Sequence, residues 1–303
     1  MATFAQKKLK ETKTLIYLLL ILAVAFWGIS YVWMKIVFEY FPPIATMFFR
    51  LVISSGFLYV LFRKNFQKIQ KADFRAFLLL SFFSPFCYFL AESFGLLHVS
   101  PTIASVVIAT IPLFSPFLGL FAFNEKLSIT NILGFIVSFV GILLMVFDDH
   151  FRFDASPLGL LLLFGAVLSA LANIVFLKKL TAKYNSYTII TVQNFAGAIF
   201  FLPLFLIFDF ATVASSRPSM DAILSLIALA VFASSLAFMF YTSGVRVLGV
   251  AKASIFTNLI PVITAVSSFF LLNEALGVDK IVGIGVVIMG LLLSQSAKLL
   301  KKF

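Results

Sequence analysis

Two charged residues lie inside long apolar runs of the sequence. Arg50 interrupts the run 43–62, and Glu92 lies in the run 76–97. An unpaired charge near the centre of a bilayer costs at least about 3 kcal/mol, so each side chain needs a partner or a function. At about 1.5 Å per residue the two lie roughly 10 and 7 Å from the same membrane face, so an ion pair is feasible. Alternatively, Glu92 faces a cavity and binds a substrate amino group or carries a proton.

A stripe of amphipathic side chains follows the first apolar run. Trp27, Ser30 and Tyr31 have i, i+3, i+4 spacing, which places them on one face of a helix. Such side chains could bind a small molecule by stacking and hydrogen bonding, although stripes of this kind also arise from packing. Asn173 and Tyr241 offer similar groups in the sixth and eighth runs.

Two prolines near the middle of their runs, Pro112 and Pro261, predict kinked helices, because proline removes a backbone hydrogen bond. Membranes tolerate such kinks where the freed carbonyl faces protein or a water-filled cavity. Ser254 and Asn258 share the face of Pro261 by i, i+4, i+7 spacing, so we expect a cavity there; plain packing around a kink is the alternative. The full set of predicted cavity residues is Trp27, Ser30, Tyr31, Glu92, Thr110, Pro112, Asn173, Tyr241, Asn258 and Pro261.

Patterns typical of enzymes, metal sites and ATP-driven pumps are absent from the sequence. One cysteine and two histidines are too few for a disulfide framework or a histidine-rich metal site. No nucleotide-binding loop occurs, and no nucleophile is accompanied by a base. We therefore expect no catalytic residue, no bound metal and no cofactor. An intramembrane enzyme acting on a lipid-soluble substrate and a membrane channel remain the alternatives to a carrier.

The elements that must position these residues are apolar helices. Hydrophobic residues make up 62% of the 303, charged residues only 12%, and the mean hydropathy is +1.12. A helix needs about 20 apolar residues to cross a bilayer, so this composition predicts an all-α integral membrane protein. Ten transmembrane helices are expected at about 15–34, 43–62, 76–97, 101–123, 128–147, 157–177, 187–208, 221–243, 250–273 and 280–297.

The distribution of basic residues predicts the orientation. Of the 23 Lys and Arg residues, 18 fall in segments on the side of the N-terminus, four fall on the other side, and Arg50 lies within a span. The positive-inside rule therefore places the N- and C-termini in the cytoplasm. The same distribution explains the net charge of +11 without a nucleic-acid partner. The basic clusters are interpreted as topology signals that touch anionic lipid and not as a binding site.

Residues 95–144 recur, without a gap, 149 positions later, with fifteen identities in 50 positions. We therefore expect one membrane domain of two repeats, 1–150 and 151–303. Five helices in each repeat is an odd number, so the second repeat must be inverted, as in secondary transporters that alternate access to a midplane site. The matched pairs include Pro112/Pro261, Glu125/Glu274, Gly134/Gly283 and Gly141/Gly290.

Two of these pairs carry structural expectations. The glycines of each repeat are seven residues apart on one helix face and permit close helix contact, within the chain or with a second copy. The glutamates begin the turns into the fifth and tenth helices, where free backbone amides near a helix N-terminus stabilise a carboxylate, so they are interpreted as structural.

The doubled pattern Asn124-Glu125-x-Leu127…Gly134…Gly141 and Asn273-Glu274-x-Leu276…Gly283…Gly290, with Trp27-Gly28 and Phe49-Arg50, resembles the EamA-type drug/metabolite transporters. The resemblance covers essentially the whole chain. It implies a ten-helix multi-pass carrier in the inner or plasma membrane that moves small metabolites, often an exporter of amino acids or related compounds. The expected partners are a small-molecule substrate, the lipid bilayer and, as a possibility, a second copy in a homodimer.

Overall fold

The computed structural model describes residues 2–114, 128–146 and 155–300, and these residues form helices without any strand. Ten helical segments occur in this part of the chain. In order they are α1 (Ala2–Phe38), α2 (Pro43–Phe62), α3 (Lys71–His98), α4 (Pro101–Phe114), α5 (Ile129–Val146), α6 (Pro157–Thr181), α7 (Ser186–Ser215), α8 (Met220–Leu248), α9 (Val250–Ala253, Phe256–Leu259 and Ile260–Leu272) and α10 (Val278–Leu300).

Six of these segments, α1, α2, α3, α6, α7 and α8, are long and apolar enough to cross a membrane. Shorter apolar helices in the described residues lie in α4, α5 and α9. The prediction of an all-helical membrane protein is therefore confirmed. Helical structure coincides with each of the ten predicted runs, although residues 115–123 of the fourth run and Phe147 at the end of the fifth lie outside the described residues.

Local sequence explains where several helices begin and end. The side chains of Ser100, Ser156, Asn185 and Ser219 each accept a hydrogen bond from the backbone amide three residues later, so α4, α6, α7 and α8 start with a cap. Proline follows Ser100 and Ser156 directly and occupies a first-turn position where its missing amide proton costs nothing.

Several helices depart from α-helical geometry along their length, and α7 does so over Phe205–Asp209. α3 adopts π-helical geometry over Phe82–Cys87, with extended torsion angles at Ser84 (φ −144°, ψ 126°), and α8 does so over Leu229–Ala237. A shift of 149 positions carries the α3 segment into the α8 segment. The predicted interruptions near Pro112 and Pro261 are also present: α4 has a turn at Thr110, and α9 is 3-10 helical over Phe256–Leu259.

α5 and α10 pack against each other along their glycines. A Cβ atom at Gly134 would lie 2.5 Å from the carbonyl oxygen of Gly290, and one at Gly141 would lie 2.9 Å from that of Gly283. The hydroxyl of Ser138 donates to the carbonyl of Val287 over 3.1 Å at the same interface. These glycines therefore allow close contact within the chain and do not face a second copy.

An ion pair joins the first turn of α3 to the loop after α6. Lys183 Nζ lies 2.9 and 3.0 Å from the carboxylate oxygens of Asp73, and the hydroxyl of Tyr184 donates to the same carboxylate. Hydrogen bonding to Asp73 raises the pKa of Lys183 above the ordinary lysine value. Because its pKa is higher in the folded state, the charged lysine stabilises the folded protein at neutral pH. That stabilisation is lost only when the pH rises through the pKa of Lys183 in the folded state.

We predict that Gly290→Ala destabilises the protein by about 1–3 kcal/mol, because the added methyl overpacks the α5–α10 contact. Its Cβ would lie 2.3 Å from Ser138 Oγ and 2.5 Å from Ser138 N. Gly285→Ala, also on α10, is the matched control, since no atom lies within 4 Å of a Cβ there. Thermal unfolding in detergent should show a lower midpoint for Gly290→Ala alone. Equal midpoints for the two variants would contradict this packing.

Candidate functional site

A central cavity of about 150 Å³ lies between the helices. Among the described residues its lining comes from α1, α2, α3, α4, α6, α7, α8 and α9, and none comes from α5 or α10. The sequence predicted lining by helices one, three, four, six, eight and nine, with five and ten as scaffold. The correction is that α2 and α7 also reach the cavity, through Arg50, Ile190 and Gln193.

The carboxyl group of Glu92 is held by two tyrosines. Tyr31 on α1 donates to Glu92 Oε1 over 2.9 Å, and Tyr88, one turn earlier on α3, donates to the same oxygen over 2.7 Å. Glu92 is only 4% exposed, so these bonds replace the water that a carboxylate would otherwise have. Because both bonds go to Oε1, the hydrogen bonds of the described residues leave Oε2 available to a ligand in the cavity.

Arg50 lies in the same cavity but is not paired with Glu92. Its Nε donates to the hydroxyl of Ser234 on α8, and its Cζ lies 4.2 Å from the ring centroid of Phe89. A guanidinium over an aromatic face is stabilised by the ring quadrupole, most strongly where water is excluded. The direct Arg50–Glu92 ion pair that the matched depths suggested is therefore wrong: in the described part of the chain, ion pairs join only Lys183 to Asp73 and Lys280 to Glu274.

Where α3 departs from α-helical geometry around Ser84, side chains from other helices donate hydrogen bonds to its backbone carbonyls. Asn173 Nδ2 on α6 donates to the carbonyl of Leu80 over 2.9 Å, and Gln193 Nε2 on α7 donates to that of Ser84 over 2.6 Å. Ser169 donates to the carbonyl of Phe83 over 2.5 Å. The second amide atom of Gln193, Oε1, is buried and has no hydrogen-bond partner among the residues that the structure describes. Gln193 thus braces α3 while presenting an acceptor beside the cavity.

Backbone carbonyls in the π-helical part of α8 likewise accept hydrogen bonds from side chains of other helices. Trp27 Nε1 on α1 donates to the carbonyl of Ala233 over 3.2 Å, and Asn194 Nδ2 on α7 donates to that of Ser234 over 2.9 Å. The indole ring of Trp27 also packs against Phe238 and Tyr241, with centroids 5.0 and 5.1 Å apart. One wall of the cavity is therefore aromatic, and its position is fixed by a backbone hydrogen bond.

Seven of the ten predicted cavity residues line the cavity: Trp27, Ser30, Tyr31, Glu92, Pro112, Asn173 and Tyr241. Thr110, Asn258 and Pro261 do not. The spacing i, i+4, i+7 assumed a continuous α-helix in α9, but its 3-10 segment has three residues per turn. The lining residues of α9 accordingly include Ser254, Thr257 and Ile260, at spacing three. Thr110 instead bonds back to the carbonyl of Val107 over 2.5 Å.

Tyr88 and Ser84 were not predicted from the sequence. Gln193 and Asn194, in the seventh apolar run, are interpreted from the sequence as interhelical hydrogen-bond partners rather than ligands, and both donate to backbone carbonyls of other helices. The position of Gln193 in the cavity lining was not predicted. Tyr88 precedes Glu92 by one helical turn, so i, i+4 spacing could have identified it. Pro85 was the sequence signal for the break at Ser84. No cluster of three or more His, Cys, Asp or Glu that could hold a metal is found in residues 2–114, 128–146 and 155–300.

Of the two predicted structural glutamates, Glu274 lies away from the cavity. Glu125 falls outside the described residues. Glu274 lies 3.8 Å from Lys280 Nζ, and its backbone amide donates to the carbonyl of Ser268 after Asn273 ends α9 in a left-handed conformation (φ 53°). Glu274 therefore lies in the connection between α9 and α10.

Cysteine accessibility separates the cavity residues from the residues outside it. In a Cys87→Ala background, we predict that Ser30→Cys reacts with 2-aminoethyl methanethiosulfonate, because Ser30 lines the cavity. Asn258→Cys is the matched control: Asn258 is similarly buried, at 3% exposed against 4%, but lies outside the cavity, and should not react. Mass spectrometry of the intact protein measures both. Modification of Asn258→Cys but not of Ser30→Cys would contradict the described cavity.

The chain was compared with known proteins. The model of the EamA-like transporter family matches residues 14–147 and again residues 157–295. An uncharacterized transporter of Archaeoglobus fulgidus is 24% identical over 275 residues, covering 91% of this chain and 96% of its own. The uncharacterized transporter YetK of Bacillus subtilis is 26% identical over 288 residues, which cover 93% of this chain and 87% of YetK.

A protein crystal structure shares the fold, with a TM-score of 0.69 at 14% identity over 92% of this chain and 97% of that chain. The resemblance predicted from the paired Glu-x-Leu…Gly…Gly motifs is confirmed by the family match over both halves. The curated relatives are named as transporters, which indicates a transporter and not an enzyme. This chain, a multi-pass cell-membrane protein, belongs to the EamA-like transporter family.

Proposed function

We propose that this protein is a secondary transporter that exports small metabolites, such as amino acids or related compounds, by alternating access. The observation that carries this proposal is the central cavity, in which Arg50 and Glu92 bring opposite charges together without pairing to each other. Burial of two charges in an apolar bundle is costly, and a ligand that offers complementary groups recovers part of that cost.

The substrate class follows from the groups in the cavity. A small zwitterion would place its ammonium group beside Glu92 Oε2 and its carboxylate beside the Arg50 guanidinium. The aromatic wall of Trp27, Phe238 and Tyr241 would then receive the rest of the substrate. A volume of about 150 Å³ favours a molecule with few heavy atoms. Amino acids combine these properties.

The transport mechanism that we propose requires ten membrane crossings in two inverted repeats, 1–150 and 151–303, with both termini in the cytoplasm. Contacts between the halves support such a relation. Exchanging each residue for the one 149 positions away converts the Gly134–Gly290 contact into the Gly283–Gly141 contact. α5 and α10 are antiparallel, and the contacts of one helix are repeated by the other. The pair therefore has local two-fold symmetry about an axis between α5 and α10.

A second pair of contacts supports the same relation farther from that axis. A Cβ at Gly95 would lie 2.8 Å from Leu163, and a Cβ at Gly244 would lie 2.5 Å from Leu20. Gly95 and Gly244 are 149 positions apart, the offset of the longer repeat. Leu20 and Leu163 are 143 apart, the offset at which the first helix weakly recurs in the sixth, through Ala23/Ala166, Val24/Val167, Val32/Val175 and Lys35/Lys178. The α3–α6 contact in one half thus has its counterpart in the α8–α1 contact of the other. Two similar halves could exchange conformations and so open the cavity to each side in turn.

The proposal is tested by counterflow in proteoliposomes. Vesicles loaded with an unlabelled amino acid mixture should accumulate labelled amino acid transiently, as only a carrier permits. Glu92→Gln preserves shape but removes the charge that binds the ammonium group, so we expect exchange to fall at least about tenfold, the effect of losing roughly 1.4 kcal/mol of binding. Glu39→Gln, at an exposed carboxylate beyond the end of α1, is the control and should exchange normally.

Three outcomes would count against this function. Flux that follows the gradient without counterflow would indicate a channel. Full activity of Glu92→Gln would remove the assigned role of the carboxylate. Absence of exchange for every amino acid, with a correctly folded protein, would exclude this substrate class.

A further inference from the structure

A second cavity lies on the outer surface of the bundle, between α2 and α7, and has a volume of about 630 Å³. Its walls are mostly apolar side chains that are exposed on the surface of the bundle, including Val52 and Tyr59 from α2 and Phe195 and Ile199 from α7. Within residues 2–114, 128–146 and 155–300 it shares no lining residue with the central cavity, so substrate binding there does not account for it. We call it the α2–α7 groove.

Stacked aromatic rings join α2 to α7 near both ends of the α2–α7 groove. Phe48 stacks on Phe205 at one end, with centroids 4.8 Å apart, and Phe62 stacks on Tyr187 at the other, with centroids 5.3 Å apart. Phe48 and Phe62 are separated by 14 residues of helix, or roughly 21 Å along its axis. One leaflet of the hydrocarbon core is roughly 15 Å deep, so the groove has room for one extended acyl chain.

The floor of the groove is open at Gly56, in the middle of α2. A Cβ built there meets no atom within 4 Å, whereas those at Gly28, Gly95, Gly197 and Gly244 would overlap neighbouring atoms. This glycine therefore does not serve helix packing inside the chain. Its effect is to leave space in the groove that any larger side chain would occupy.

Basic residues flank in sequence the residue that ends one side of the groove. Phe66, which lines it, lies in a segment with Arg63, Lys64 and Lys68, and all three basic side chains are exposed. None of the three forms an ion pair within the described residues. Clustered Lys and Arg at a membrane surface attract anionic headgroups. An apolar channel of acyl-chain length that ends at unpaired cations is complementary to an anionic phospholipid.

We propose that the α2–α7 groove binds one anionic glycerophospholipid, with an acyl chain between α2 and α7 and its phosphate beside Arg63, Lys64 and Lys68. The acyl chain fills the space over Gly56. Given the proposed orientation, the lipid belongs to the cytoplasmic leaflet. This site is independent of the proposed transport function and does not require it.

The test is titration of the purified full chain in detergent with phosphatidylglycerol or phosphatidylcholine, with bound lipid counted by native mass spectrometry. We expect one tightly held phosphatidylglycerol. Gly56→Leu fills the groove and should weaken its binding about tenfold. Gly285→Leu is the matched control, because Gly285 is also exposed on a helix and open to space, but on α10. It should bind the lipid as the unaltered protein does.

A triple variant, Arg63→Ala/Lys64→Ala/Lys68→Ala, tests the headgroup separately. It should lose the preference for phosphatidylglycerol over phosphatidylcholine while still binding lipid through the groove. Unchanged phosphatidylglycerol binding by Gly56→Leu, with a normal unfolding midpoint, would overturn the proposal. Conversion of a dimer to a monomer by Gly56→Leu, without an effect on lipid binding, would also overturn it and would assign the groove to contact between copies of this chain.

Discussion

Backbone polar groups buried in hydrocarbon must find hydrogen-bond partners inside the protein, and the centre of this bundle is organised by that constraint. α3 and α8 leave α-helical geometry at Ser84 and around Ala233, which frees carbonyl oxygens in mid-membrane. Trp27, Asn173 and Gln193 reach across from other helices to donate to carbonyls at these breaks. Helices α1, α6 and α7 are thereby held against the two broken helices, and the middle of the bundle becomes polar.

That polar centre explains how opposite charges can coexist there without neutralising each other. Tyr31 and Tyr88 solvate the Glu92 carboxyl group through one oxygen. Ser234, in the broken part of α8, and the ring of Phe89 stabilise the Arg50 guanidinium. Each charge is therefore partly satisfied by neutral groups and keeps hydrogen-bonding capacity toward the cavity. The glycine contact between α5 and α10 lies outside this centre and acts as scaffold.

The sequence was sufficient to predict the features that depend on hydrophobic length and residue size. The run 43–62 matches α2 because apolar length fixes a span, and the glycine pairs indicated the close α5–α10 contact because only glycine permits it. Asn258 was placed wrongly because a period of 3.6 was assumed where α9 is 3-10 helical. Likewise, no pattern showed that Arg50 would bond Ser234, which lies 184 positions away and meets it only through tertiary packing.

The most direct test of the central claim is whether the cavity recognises both charges of a zwitterion. Thermal unfolding of the purified protein should be measured with an amino acid, with the amine that lacks its carboxylate and with the acid that lacks its amino group. The account predicts that the amino acid raises the midpoint more than either analogue, and that Glu92→Gln and Arg50→Met each abolish this difference. Equal stabilisation by all three compounds, or an undiminished difference in both variants, would contradict it.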